Sequence, residues 1–330
     1  MSDSSGPWRP LEINVRFTAE SLAELLDGGQ AFRWNRQPDG VWRGQWANHV
    51  VELSLVGPTS LQWRPITPDT LTSAATLQRY LRLDDEQHDL HLDVLPWRSD
   101  AHLRKCITAF PGLRILRQPF GETLLGFLCS ATKQIVQIKQ MQALLAERHG
   151  SLTALNCHIT RDKPAHPPLS PPPNTDPNCH ITSENRIYST GDKVFIMPTW
   201  RQIAELSEEQ LRACQLGFRA RYIKGTADYI KAHPGWLEQT AELPYAEART
   251  ALCVLPGVGE KIADCVSLFG LGHPQAFPVD TWMIKSMARR YGLDGWTPTQ
   301  VAHFGRVHFG PSAGLAQQYL FAWERAHGGR

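Results

Sequence analysis

No apolar run in this 330-residue sequence approaches the roughly 20 residues that a membrane-spanning helix needs. The opening Met1-Ser-Asp-Ser-Ser-Gly-Pro-Trp8 has neither a basic region nor an apolar core, so no secretory leader is expected. Neither sign of charge dominates: 34 Lys and Arg against 32 Asp and Glu leave a net charge of +2. That balance does not announce a polyanionic partner. It does not exclude one either, since backbone amides hold phosphates without cations. Cysteine is sparse, and seven residues scattered without a framework predict free thiols in a reducing compartment. The protein is therefore expected inside the cell, in the cytoplasm with the nucleoid of a bacterium or in the nucleus of a eukaryote. The remaining composition, 42% hydrophobic and 20% charged, is that of a globular chain long enough for two domains.

The most informative stretch is Leu252-Cys-Val-Leu-Pro-Gly-Val-Gly-Glu-Lys-Ile-Ala-Asp-Cys265, followed by Pro278-Val-Asp-Thr-Trp282. Apolar residues recur at helical spacing on both sides of Pro256, Gly257 and Gly259, which predicts two helices joined by a tight turn. The turn leaves successive N–H groups uncovered at the start of the second helix. Uncovered amides and the helix dipole both favour an anion there. Lys261 falls in that first turn, where the dipole disfavours a cation and so favours the neutral, nucleophilic amine. Asp280 opens the next helical run as an N-cap, which would fix its carboxylate in place. Lys261 and Asp280 are expected to face each other across a catalytic cleft.

The first third alternates as antiparallel strands do, over Leu11–Phe17, Gly40–Trp46, His49–Leu55 and Ser60–Trp63, with a short helix over Ala19–Leu26. Helical segments are predicted over 68–81, 86–95 and 99–110. The paired Gly28 and Gly29 before Gln-Ala-Phe-Arg-Trp34 fit either a helix C-cap and turn or a close approach of a backbone carbonyl to a ligand. Glu122–Ser130 reads as a buried helix and Ile135–Leu145 as an amphipathic one, with a polar interruption at Thr132-Lys-Gln134. The segment from about 156 to 198 is rich in proline and repeats Asn-Cys-His-Ile-Thr at 156–160 and 178–182, which predicts a mobile surface insertion. Its Cys-His pairs do not match the spaced ligand patterns of zinc sites, so no metal is expected. Beyond it, Gly217 ends a helical run and presents Phe218 beside Arg219. Phe218 suits either a wedge into a base stack or an ordinary core position.

Taken together, the hairpin at 255–265 with Pro278-Val-Asp280 resembles the helix-hairpin-helix and Gly-Pro-Asp signature of base-excision repair glycosylases. Within that superfamily the chain resembles the 8-oxoguanine DNA glycosylases. The likeness also rests on Gly-Gln-Ala-Phe-Arg-Trp at 29–34, Phe127-Leu-Cys-Ser130, Gly217-Phe-Arg-Ala-Arg-Tyr222, and Ala313-Gly-Leu-Ala-Gln317 with Phe321.

The resemblance implies an α+β fold. An N-terminal antiparallel sheet domain over 1–118 would precede an all-α hairpin domain over 119–330. It implies a glycosylase with lyase activity that needs no cofactor and acts as a monomer on damaged double-stranded DNA. By the same resemblance Lys261 is the nucleophile and Asp280 stabilises positive charge on the sugar. The Gly29 carbonyl accepts the N7–H that only the oxidised guanine carries. Cys265 and Phe321 sandwich the base, and Gln317 bonds its pairing edge. Gly257, Val258 and Gly259 hold a phosphate, while Phe218, Arg219, Thr132 and Gln137 face the opposite strand.

Departures from the family pattern concern that last group. The polar kink has Thr132-Lys133-Gln134 where vertebrate-type relatives have asparagines, and Gln137 where they have an arginine. Recognition of the opposite base is therefore expected to be looser. Trp282 stands where relatives have a histidine, and the absence of cysteine after Cys265 excludes the four-cysteine iron–sulfur cluster of other superfamily members. Two other readings bear on the same residues. A glycosylase for alkylated bases needs only the aspartate, and a non-catalytic DNA-binding hairpin would not need both Lys261 and Asp280.

Overall fold

The computed structural model describes residues 7–66, 72–84, 91–152 and 194–327. Most of the Pro-rich stretch, with both Asn-Cys-His-Ile-Thr repeats, lies outside them, as do parts of the helices predicted at 68–81 and 86–95. Among the described residues no helix is long and apolar enough to cross a membrane.

Five antiparallel strands form the N-terminal sheet: β1 (Arg9–Leu11), β2 (Trp34–Arg36), β3 (Trp42–Trp46), β4 (His49–Gly57) and β5 (Ser60–Pro65), in the spatial order β1-β5-β4-β3-β2. The expected strand over Leu11–Phe17 is shorter than its alternating pattern suggests. Pairing with β5 stops at Leu11, and Phe17 instead donates its N–H to the Pro58 carbonyl, 2.7 Å away. Register is set by side chains. Gly44 lies opposite Trp34, and a Cβ there would meet the indole at 2.3 Å, so only glycine lets that ring lie across the sheet. Glu52, opposite both Arg43 and Arg64, is buried between their guanidinium groups at 2.6 and 2.7 Å. A buried carboxylate is tolerable only when paired in this way.

Helices α1 (Ala19–Asp27), α2 (Ala74–Tyr80) and α3 (Ala101–Ala109) accompany the sheet. Each starts at a side-chain cap, Thr18, Ser73 or Asp100 respectively. The helical part runs α4 (Phe120–Leu128), α5 (Ile135–His149), α6 (Trp200–Ala204), α7 (Glu208–Leu211), α8 (Arg219–Ala232), α9 (Trp236–Ala241), α10 (Tyr245–Cys253), α11 (Glu260–Phe269), α12 (Thr281–Tyr291), α13 (Pro298–Phe309) and α14 (Ala313–His327). The helical run expected to end at Gly217 is regular only over α7. Arg212–Leu216 is a wide turn in which Gln215 takes φ +62°.

Apolar packing divides the molecule differently from the chain order. One core joins the sheet and α1–α3 to α12, α13 and α14 through residues such as Trp34, Trp63, Phe277, Met287, Phe309 and Tyr319. The other holds α4 to α11, around Leu124, Leu145, Ile223, Leu252, Ala263 and Leu268. The C-terminal helices thus return to the N-terminal sheet, and a groove between the two cores is where residues distant in sequence meet.

Candidate active site

The hairpin is α10, a turn over 254–259, and α11. Gly257 takes φ +80°, and a Cβ there would meet Tyr222 of α8 at 2.7 Å, so the turn packs closely on α8. Thr226 Oγ1 donates to the Pro256 carbonyl at 3.2 Å and ties the same surfaces together. Val258 is buried and acts as the plug of the turn. Gly259 caps α11 with no side-chain bond and no atom within 4 Å of where its Cβ would sit, leaving the first amides of that helix uncovered.

Lys261 is half-buried in the first turn of α11. Its Nζ lies 3.5 Å from Ser130 Oγ and 5.6 Å from the centroid of the Phe127 ring. The turn around it is held from behind. Arg249 of α10 pairs with Glu260 at 3.1 Å and with Asp264 at 3.0 Å, and the Tyr245 hydroxyl donates to Asp264 at 2.7 Å. Asp264 is buried, and that burial pushes its carboxyl above the usual range against the pull of Tyr245 and Arg249. Residues from Ile262 to Phe269 are all buried, which leaves the helix no freedom to roll.

Asp280 is the N-cap of α12, its Oδ1 accepting the Met283 N–H at 2.8 Å. One carboxylate oxygen is thus committed to the backbone and the side chain is pinned at the cleft. Lys261 and Asp280 both line a cavity with about 370 Å³ of empty volume, shared with Gly28, Gly29, Phe127, Cys265, Phe269, Pro278, Gln317, Gln318 and Phe321. A second cavity of about 360 Å³, bordered by Arg33, Trp46, Tyr80 and Glu122, contains none of these groups.

Every base-pocket residue expected from the sequence therefore converges on one cavity, and three separate segments bring them there. Gly29 follows α1 with φ +102°, with Ile135 and Phe321 at 3.4 and 3.9 Å from a hypothetical Cβ. Cys265 lies one turn beyond Lys261; burial raises its thiol to about 11, while Lys261 pulls the other way. Gln317 and Phe321 stand one turn apart on α14, and the buried Gln317 accepts a 2.7 Å bond from the Gln318 side chain. Of the lining residues that the sequence reading had not assigned, Pro278 and Phe127 lie inside segments already singled out. Phe269 was legible only as an apolar position at helical spacing after the hairpin, and Gln318 had no sequence signal, because only the packing of α14 against α11 brings them to the cavity.

The residues expected on the opposite-strand side are arranged less simply. Phe218 is 44% exposed, as a wedge requires, and stacks on the Arg219 guanidinium at 4.4 Å from its centroid. Arg219 itself is buried. It donates to the Ala131 and Leu216 carbonyls and, at 3.0 Å, to Thr132 Oγ1. Thr132 adopts φ +55° to receive it. Gln137 reaches back to accept the Gln134 N–H at 3.2 Å, serving as the cap of its own helix. Trp282, two residues past Asp280, is 48% exposed and outside the cavity lining.

Comparison with known proteins agrees with this geometry. The model for the 8-oxoguanine DNA glycosylase N-terminal domain matches residues 13–124, and that for the HhH-GPD superfamily of base excision DNA repair proteins matches residues 178–308. The chain is 29% identical to the N-glycosylase/DNA lyase OGG1 of Arabidopsis thaliana, over 96% of this chain and 80% of that protein. It is 28% identical to the N-glycosylase/DNA lyase of Saccharomyces cerevisiae, over 82% of this chain and 68% of that one. Among solved structures it resembles the 8-oxoguanine glycosylase/lyase of Clostridium acetobutylicum bound to double-stranded DNA with cytosine opposite 8-oxoguanine. That match has a TM-score of 0.77 and 28% identity, covering 99% of this chain and all of the other. Its sheet, hairpin and pocket, together with these matches, show that the chain belongs to the 8-oxoguanine DNA glycosylase family of the helix-hairpin-helix superfamily.

Proposed function

We propose that the protein is a bifunctional DNA repair enzyme that excises 8-oxoguanine from duplex DNA and nicks the resulting abasic site through a lysine Schiff base. The observation that carries this reading is the single cavity shared by Lys261, Asp280, Gly29, Cys265, Gln317 and Phe321. The target nucleotide turns out of the stack into that cavity. The neutral Lys261 amine attacks the sugar C1′, and the glycosidic C–N bond breaks with its electron pair leaving on the base. Asp280 offsets the positive charge that develops on the sugar, at a position its capping bond keeps constant. The attached nitrogen loses one proton, and the C1′–O4′ bond opens with its electron pair leaving on O4′, which takes up a proton; the C1′–N bond becomes a protonated imine on the ring-opened sugar. Loss of a C2′ proton expels the 3′ phosphate by β-elimination and cuts the strand.

Selection of the lesion rests on one hydrogen bond. The Gly29 carbonyl accepts the N7–H of the oxidised base, and normal guanine, with a bare acceptor at N7, leaves that carbonyl facing a lone pair. An unmade buried hydrogen bond of this kind costs about 1–3 kcal/mol, and the repulsion adds to it. Cys265, held as the neutral thiol, and Phe321 cover the two faces of the base, and Gln317 addresses its pairing edge. The hairpin amides at Gly257 to Gly259 hold a phosphate and Phe218 fills the space the base vacates. One chain supplies every group in the cavity, so we take the active species to be a monomer.

Borohydride trapping on duplex DNA containing 8-oxoguanine tests this directly. The expected result is a covalent protein–DNA adduct that disappears in Lys261→Gln. Base release without trapping would instead indicate a glycosylase of the aspartate-only kind, and binding without release a non-catalytic module.

A further inference from the structure

The two walls that hold the base in the proposed pocket come from opposite ends of the chain, yet both are fastened to one short segment. Residues 111–118 connect α3 to α4. This connection is unusually well buried for a loop: Leu113, Arg114, Ile115 and Leu116 are all inside the protein. Gln30, next to Gly29 and 1% exposed, is bonded to it at both ends of its side-chain amide. Its Nε2 donates to the Arg114 carbonyl at 3.1 Å and its Oε1 accepts the Leu116 N–H at 2.9 Å. The side chain thereby stands in for a strand neighbour. The Gln30 carbonyl in turn accepts Gln118 Nε2 at 2.6 Å. From the other side, the buried Tyr319 hydroxyl donates to the Leu113 carbonyl at 3.0 Å. Tyr319 lies between Gln317 and Phe321 on α14.

We infer that Gln30, acting through the 113–118 connection, is a positioning residue that sets the distance between the Gly29 carbonyl and the Gln317–Phe321 face, and so controls base selection without touching the base. This rests on the lesion-pocket reading above. The physical reason is that Gly29 cannot hold itself in place. Its φ of +102° is available to glycine and few other residues, and glycine has no side chain to brace it. Its neighbour has to supply the rigidity, and a buried amide bonded at both ends does so because breaking either bond strands a polar group away from water. Asp280 and the turn that carries Lys261 have no such dependence, since their braces lie in α10, α11 and α12, although the Lys261 Nζ also reaches Ser130 and the Phe127 ring.

The test therefore compares two reactions of the same protein. Single-turnover release of 8-oxoguanine opposite cytosine requires the base-holding walls, whereas nicking of a preformed abasic site requires Lys261 and not the base. In Gln30→Met, which keeps length and loses both amide bonds, base release is expected to fall about tenfold or more while abasic nicking stays within about twofold. Tyr319→Phe should shift the same ratio in the same direction by a smaller factor. Equal losses in both reactions, or no loss in either, would overturn the inference, the former because it indicates loosening of the whole fold. Should Gln30→Met fail to fold, Gln118→Leu removes one half-exposed bond from the same stitch and is read against the same ratio. The unaltered protein separates the two levels of argument. If it nicks abasic DNA but releases no 8-oxoguanine, the lesion assignment itself fails and this inference with it. If it does both and the variants change neither ratio, only this inference fails.

Discussion

The two sides of the cavity are built on different principles. On the reacting side, Asp280 and the turn that carries Lys261 are fixed by contacts close by in the chain, and only the Lys261 Nζ reaches farther, to Ser130 and Phe127. Asp280 caps its own helix three residues on, and the turn bearing Lys261 is braced by Arg249, 12 positions before it in the neighbouring helix. On the base-holding side, Gly29 and Phe321 meet although nearly the whole chain separates them, and the residues that join them lie at 113–118. Local devices thus hold the groups that make and break bonds, and long-range packing holds the groups that choose the substrate. The comparison predicts that the two sides can be disabled separately.

The largest effect is expected on the reacting side. Lys261→Gln removes the nucleophile, so strand nicking and borohydride trapping should be lost and base release should fall by about 10³-fold or more, measured in single-turnover assays. Asp280→Asn separates charge from capping, because asparagine caps a helix as well as aspartate does. Base release is expected to fall about 10²-fold while the melting temperature changes by no more than about 1 kcal/mol of stability would produce. A large loss of stability would mean that Asp280 is chiefly a structural cap.

Gly29→Ala attacks the other side. The backbone at φ +102° strains alanine by about 1–3 kcal/mol, and its methyl group presses toward Ile135 and Phe321. Release of 8-oxoguanine should drop about 10- to 100-fold with abasic nicking retained. If both reactions collapse together, the two sides are not independent.

A smaller effect concerns the opposite strand. Arg219 is spent on protein carbonyls and Gln137 on its own helix, so the preference for cytosine over adenine opposite the lesion should be no more than about tenfold. Release rates opposite C, A, G and T measure it, and a preference of several hundredfold would show that Arg219 turns outward on binding.

The smallest effect is one of pH. Burial raises the Cys265 thiol to about 11, above its ordinary value of 9.0. The native state therefore favours the protonated form. The stabilisation it brings is complete below the ordinary value and is lost as pH rises through the raised one. Between about pH 7 and 9 Cys265 should stay a thiol, so Cys265→Ala is expected to leave the shape of the pH–activity profile unchanged over that range.

How much of this was legible beforehand follows the same division. The hairpin, the place of Lys261 in the first helical turn and the capping role of Asp280 could be read from residue order alone, because helix spacing and capping act over three or four positions. The sheet was also legible from its alternation, except at 12–17, where the pattern continues but no partner strand does, and at the edge strand β2, which the four predicted strands did not include. The fate of Arg219 and Gln137 was not. The sequence shows a cation beside an exposed ring and an amide near a kink, and nothing in their spacing reveals that both have protein partners.

By itself, then, the sequence determined the chemistry available to this protein: an amine in the first turn of a helix, a carboxylate at the start of the next one, and a turn of uncovered amides. Only the tertiary structure decided what that chemistry meets. The return of α12 to α14 onto the N-terminal sheet brings Gln317 and Phe321 to Gly29, and the buried connection at 113–118 holds them apart at a set spacing. Such contacts arise from the shapes of two packed cores, and shape complementarity between distant segments leaves no period in the sequence to read.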